Sequence, residues 1–316
     1  MNPTIFNGNY LLDESIMDFP IPVEIHVTRF FNNNNPQHRI KDDLNKLFLD
    51  NHYESKNAFK VFLDSNEPKV CYMKEKIETI LKYGNYYNLI LTSTEEVLNN
   101  LPNAKKFLYG TTWLNKNNKN NKIYLGEVQE DFKGFDLQKE NSISFLKSNK
   151  IFINEKKIKV MENLPGYIFR EKIWPLKSKI NHATLFYYSN IFKNFTNIEN
   201  DGVLPNDDKL NIFKSKFSII IENSQETNYF SEKLIDCLLT KTIPIYWGCP
   251  NITEYLDKDG FIFIKNENDF LSQLNTINLE KYYSDKKQSI EKNFEEAKKY
   301  ASNFSKRVEA EIKRFI

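Results

Sequence analysis

The chain has 316 residues, enough for two ordinary domains, and its 40% hydrophobic and 27% charged residues are the mix of a folded protein, which excludes wholesale disorder. Its 44 basic and 42 acidic residues leave a net charge of +2 with no basic stripe, which argues against a strongly basic nucleic-acid binder. With only 9 glycines and neither a G-x-G-x-x-G nor a P-loop pattern, any nucleotide phosphate must be held by side chains and helix ends.

Along the first half, apolar runs at 23–31 (VEIHVTRFF), 59–64 (FKVFLD), 88–92 (NLILT) and 106–109 (KFLY) predict strands. Helical stretches at 41–48, 73–81 and 95–101 alternate with them, the pattern of an α/β layer on a largely parallel sheet. The asparagine- and lysine-rich stretches 32–35 and 115–122 read as exposed loops. A second unit follows, with strands at 142–147, 184–188, 217–221, 242–247 and 261–264 and helices at 167–174 and 230–239. From about Leu279 the chain is helical, and Ile290, Phe294, Ala297, Ala301, Phe304, Val308 and Ile312 recur at spacings of three and four, an apolar stripe that needs a surface to cover. Two units of similar size predict two Rossmann-like domains facing a cleft, divided in the polar stretch 120–140, with ligands beyond the carboxyl ends of the strands.

Cys71, Cys237 and Cys249 are irregularly spaced and read as reduced thiols; His26, His38, His52 and His182 show no metal-ligand spacing. The start of the chain lacks the pattern of a signal peptide and no apolar run approaches a membrane span, so a soluble, intracellular chain is expected. Asp257-Lys258-Asp259 has the D-x-D form of a manganese site, but it precedes Gly260 in what reads as a turn.

The stretch 216–250, KFSIIIENSQETNYFSEKLIDCLLTKTIPIYWGCP, carries the chemistry. An apolar strand runs into Glu222-Asn223-Ser224, and after a short loop Tyr229 precedes a helix for which Ser231 is a suitable N-cap. Glu232 and Lys233 then lie in the first turn, where free N–H groups and the helix dipole favour an anion. Lys233 would add a full charge beside a phosphate, Glu232 would accept from a ribose diol, and Tyr229 would stack on a base or bond the sugar.

In ENS, YFSEK and IPIYWGCP, in that order and spacing, the stretch resembles the signature region of the α-1,3-fucosyltransferases of glycosyltransferase family 10, with Ser231 where threonine is usual. Looser likenesses extend over most of the chain: SFLKSN at 144–149, GYIFR at 166–170 and VFLDSNEP at 61–68. The resemblance implies a GT-B fold, with acceptor-binding residues 1–140, donor-binding residues 141–290 and a C-terminal helix, 291–316, packing back on the fold. It also implies inverting transfer of fucose from GDP-fucose to a hydroxyl of an acceptor glycan, one containing galactose or N-acetylglucosamine for example, with no metal or other cofactor required. Arg170 would bind the donor pyrophosphate, Asn223 would hydrogen-bond the donor, Tyr229 would line the nucleotide pocket, Glu232 would hold ribose and Lys233 phosphate. Glu67 is the candidate general base, with Asp64 next in line. Glu222 either contacts the donor or anchors the loop, and the anchor is favoured. Transfer of a different sugar, or nucleotide-sugar or glycan binding without catalysis, are the alternatives. A cytoplasmic enzyme, bacterial or made in a virus-infected cell, is expected rather than a membrane-anchored Golgi form.

Overall fold

The computed structural model describes residues 1–6, 12–27, 57–64, 73–114, 118–119, 122–123, 127–147, 165–188, 202–205 and 208–316. Strands β1 (Thr4–Phe6), β2 (Val23–Val27), β3 (Phe59–Leu63), β4 (Leu89–Thr92) and β5 (Ala104–Lys106) lie side by side in that order, every neighbouring pair parallel. β1 has no counterpart in the sequence reading, and β5 sits earlier than the run at 106–109. The ladder ends where Phe107 donates its N–H to the Thr92 carbonyl; the carbonyls of Leu108 and Gly110 beyond it accept from Arg307 instead. The expected helix at 41–48, the loop at 32–35, Cys71 and Glu67 lie outside the described residues.

Helices α1 (Met73–Tyr83) and α2 (Glu95–Asn100) carry the chain from β3 to β4 and from β4 to β5. Parallel strands added in one direction by right-handed crossovers place their helices on one face. There Phe62 and Ile90 pack with Ile80, Val97 and Leu101. Strand alternation sends Val23, Ile25, Val27, Val61, Leu63, Leu89 and Leu91 to the opposite face, which needs another cover.

A short antiparallel pair, β6 (Asn118–Lys119) and β7 (Lys122–Ile123), overlaps the stretch 115–122 read as a loop. The second sheet contains β8 (Glu140–Lys147), β9 (Ala183–Tyr188), β10 (Ser215–Ile221), β11 (Ile243–Trp247) and β12 (Ile262–Phe263) in the order β12-β11-β10-β8-β9, again all parallel. Its central strand β10 is buried on both faces. Phe217, Ile219 and Ile221 pack under α3 (Pro165–Ile173) and α5 (Glu267–Thr276), and Ile220 packs under α4 (Glu232–Leu239).

The C-terminal helical run forms α6 (Leu279–Asp285), α7 (Lys287–Ala301) and α8 (Phe304–Ile312), with the stripe divided between α7 and α8 rather than running as one helix. Asn303 stops it: its Oδ1 accepts from the Lys306 N–H at 3.0 Å and caps α8. The break changes partners. Phe294, Ala297 and Ala301 of α7 pack on α4 in the second unit, whereas Phe304, Val308 and Ile312 of α8 cover the bare face of the first sheet. The fold is thus α/β with two parallel-sheet units, as the sequence predicts.

Candidate functional site

In the second sheet the chain moves outward from β8 to β9, then returns to the other side of β8 to form β10. Open parallel sheets hold ligands outside the carboxyl ends of the strands at such a reversal. Lys147 ends β8 and Ile221 ends β10, which puts the place expected for a ligand in such a sheet next to the polar cluster Glu222-Asn223-Ser224. The first sheet has no reversal among its described strands.

Arg170 on α3 is only 4% exposed and is built into this edge. Its Nε donates to the Ile221 carbonyl at 3.1 Å and its Nη2 donates to Asn223 Oδ1 at 2.8 Å, with a further bond from Nη2 to the same carbonyl. The Tyr167 ring lies 4.7 Å from the guanidinium carbon. Glu171 is not its partner but that of Lys147, at 2.5 Å, whose ammonium also faces the rings of Trp174 and Tyr188. Among the described residues nothing accepts from the Nη1 pair of Arg170. Gly166 allows this closeness: a Cβ there would stand 1.8 Å from the Glu222 carbonyl oxygen, and its N–H donates to the Asn223 carbonyl at 3.0 Å.

Glu222 is fully buried and grips the start of α4. Its Oε1 accepts from the Ser231 N–H at 2.9 Å and its Oε2 from the Ser231 hydroxyl at 2.6 Å. Burial pushes its carboxyl up, against the pull of Lys233 and the Ser231 bonds. Ser231 Oγ in turn caps α4 by accepting from the Lys233 N–H at 3.3 Å. Lys233 Nζ donates to Ser231 Oγ at 3.0 Å and to Glu232 Oε1 at 3.3 Å, lies 3.8 Å from Glu222 Oε2, and its side chain is 27% exposed. Burial works to raise the Glu232 carboxyl, but the charges of Lys233 and Lys209 outweigh it and hold it at about 2. Tyr229 is buried in the loop between these groups.

The structure therefore gathers Arg170, Glu222, Asn223, Tyr229, Glu232 and Lys233 at the carboxyl edge around β10. Asp64 lies on the other sheet, just past β3, and is committed: it pairs with Lys76 at 2.7 Å and accepts from the hydroxyls of Thr92 at 2.8 Å and Thr94 at 3.2 Å. Asp257 of the D-x-D caps a short turn by accepting from the Asp259 N–H at 3.0 Å and pairs with Lys292. Among the described residues no group of three or more His, Cys, Asp or Glu side chains is placed to hold a metal ion, and no helix is long and apolar enough to cross a membrane. Cys237 and Cys249 are buried free thiols.

Sequence reasoning missed three neighbours of the site. Lys209 pairs with buried Asp236 of α4 at 2.8 Å, one turn below Glu232, and its ammonium lies 5.0 Å from the Trp113 ring. Asp236 also accepts from the Thr112 hydroxyl at 2.7 Å and the Trp113 N–H at 2.9 Å, joining α4 to the end of the first unit. Asn228 makes a second such junction. Its backbone is left-handed, a conformation suited to glycine and asparagine, but nothing in the sequence marks it as a link between the units.

Residues 191–313 match the family model described as Glycosyltransferase family 10 (fucosyltransferase) C-term. The chain is 37% identical over 67 residues to the alpha-(1,3)-fucosyltransferase FucT of Helicobacter pylori, a match covering 21% of this chain and 13% of that protein. It is also 37% identical over 65 residues to the putative fucosyltransferase R654 of Acanthamoeba polyphaga mimivirus, covering 20% and 11%. The matches thus span about an eighth or less of the relatives' own length. Among solved structures, an alpha1,3-fucosyltransferase with GDP-fucose aligns over 94% of this chain and 91% of its own at a TM-score of 0.47 and 17% identity. Another alpha1,3-fucosyltransferase aligns over 92% and 77% at 0.48 and 16%. The signature stretch 216–250 lies inside the residues that match the C-terminal region of glycosyltransferase family 10, the family it resembles.

Proposed function

We propose that the chain is an inverting glycosyltransferase that moves fucose from GDP-fucose to a hydroxyl of an acceptor glycan, without a metal. The observation that carries this is the cationic edge at the reversal of the second sheet. Arg170 is locked in place by Ile221 and Asn223, with Nη1 uncommitted among the described residues, and Lys233 stands in the first turn of α4. Such fixed cations suit a departing diphosphate, which needs positive charge rather than a proton. The fork of Arg170 suits paired phosphate oxygens better than a lysine would. The family match and the activity named for the bacterial relative support fucose as the transferred sugar.

In this reading residues 141–290 hold the donor and residues 1–140 the acceptor, with 291–316 packing back on both. Glu67 takes the acceptor hydroxyl's proton as the new C1–O bond forms on the face opposite the breaking bond, and GDP leaves with its electron pair. Asn223 bonds the donor, Tyr229 lines its pocket and Glu232, kept ionised, accepts from ribose. Glu222 is the anchor of α4, since both its oxygens are occupied by Ser231. The protein works in the cytoplasm, with no metal or other cofactor.

Calorimetry against GDP, UDP and CDP, followed by an assay for GDP release in the presence of EDTA, tests the reading. Arg170→Ala and Lys233→Ala should each weaken GDP binding about tenfold or more. Glu67→Gln should slow turnover by about 10²-fold or more with GDP affinity retained. Absence of GDP binding by the parent would overturn the donor, and loss of turnover in EDTA would overturn metal independence.

A further inference from the structure

Asn228 stands midway in the loop from β10 to α4, buried, with φ 64°. Its side chain is satisfied from two directions. On the second unit, Oδ1 accepts from Asn251 Nδ2 at 2.9 Å and from the Tyr255 hydroxyl. On the first unit, Nδ2 donates to Glu95 Oε1 at 2.7 Å and to the Ser93 carbonyl at 3.3 Å. An amide offers two donor hydrogens and two lone pairs, so this one is filled. Its backbone N–H donates to Asn251 Oδ1 at 2.9 Å, and Lys106 Nζ reaches the Tyr255 hydroxyl at 3.2 Å from the end of β5. The carboxyl ends of β4, β5, β10 and β11 are thereby joined in one polar knot.

We propose that Asn228 is a positioning residue for transfer. It fixes the loop bearing Tyr229 and Ser231, and with it the first turn of α4 that carries Glu232 and Lys233, at a set distance from the carboxyl edge of the first sheet. The proposal rests on the donor–acceptor reading given above. Every donor contact in that reading lies on the second unit, whereas Glu67 follows β3 of the first. GDP binding therefore needs one unit, and transfer needs both units in register.

Glu95 supplies the test from outside the donor loop. Glu95→Ala and Asn228→Ala should each lower the transfer kcat by about 10- to 100-fold, the scale of a small misplacement of reacting groups. In Glu95→Ala, which leaves the bonds of Asn228 within the second unit in place, the dissociation constant for GDP should stay within about twofold. Glu95→Gln, which keeps an acceptor oxygen, should restore kcat, and the double alanine variant should be no slower than the slower single one. Parental kcat in Glu95→Ala, failure of Glu95→Gln to rescue, or effects that multiply in the double variant would each overturn the proposal. A parent that does not bind GDP would overturn the reading of function instead. The bridge itself is read separately by urea unfolding of the parent, the two alanine variants and the double variant. A midpoint loss shared between the two alanine variants supports it, and additive losses overturn it.

Discussion

At the scale of single residues, burial decides which charged groups remain available for chemistry. His26 shows the cost of enclosing an ionisable group. It lies on β2 between the Phe6 and Tyr87 rings, accepting from or donating to the Tyr87 hydroxyl through Nδ1 at 3.1 Å. Glu24, 3.7 Å from Nε2, favours the charged ring, yet burial and then the charge of Lys60 prevail and hold its pKa down at about 4. A histidine depressed in the folded state stabilises the protein above the unfolded value near 6.5, and that contribution is lost as pH falls toward 4. Between pH 7 and 4.5 the parent should lose about 2 to 3 kcal/mol through this group, so its urea midpoint should fall more steeply than that of His26→Gln. Equal slopes would remove His26 from the account. Gly166 is a second residue-scale constraint. Because a Cβ there meets the Glu222 carbonyl oxygen, Gly166→Ala must push α3 away from β10, carrying Arg170 off Asn223. A loss of about 3 kcal/mol in unfolding, together with weaker GDP binding, is expected; parental values in both would show that α3 adjusts freely.

At the scale of elements, the segment from β10 to α4 folds as its sequence dictates. From Phe217 to Ile221 the strand is apolar but for buried Ser218, which suits a centre buried on both faces, and the first polar residues past it stand at the reversal of the sheet. Ser231 caps the following helix, and Glu222 holds Ser231 through both oxygens. The C-terminal stripe illustrates the opposite case. Its spacing announces an apolar face but not the break at Ser302-Asn303 that hands α7 to one unit and α8 to the other. Val308 is fully buried on α8 against the first sheet, so Val308→Ala should lower the unfolding free energy by about 2 kcal/mol in a urea titration. Ala310→Gln, on the exposed side of the same helix, should change it by less than about 0.5 kcal/mol. Equal effects of the two changes would mean that α8 does not serve as the cover of that sheet.

At the scale of the whole molecule, two parallel sheets are tied together by Asn228 and Glu95, by Asp236 and Thr112, and by a C-terminal tail that packs on both. The α/β class and the cap of α4 by Ser231 were legible in the sequence because they rest on local causes, apolar runs and a capping hydroxyl, whereas the roles proposed for residues 222–233 were read from a family resemblance. The commitment of Asp64 to Lys76, the closure of Arg170 onto Ile221 and Asn223, and the roles of Lys209 and Asn228 were not legible. Each depends on residues far apart in sequence. By itself, then, the sequence determined which segments become strands and helices and which short stretch carries the signature, since periodicity and capping act over a few residues. Only the tertiary structure decided the strand order that sets the reversal of the second sheet, the helix that covers the first sheet and the side chains that lock the two units, because those choices are set by contacts between distant parts of the chain.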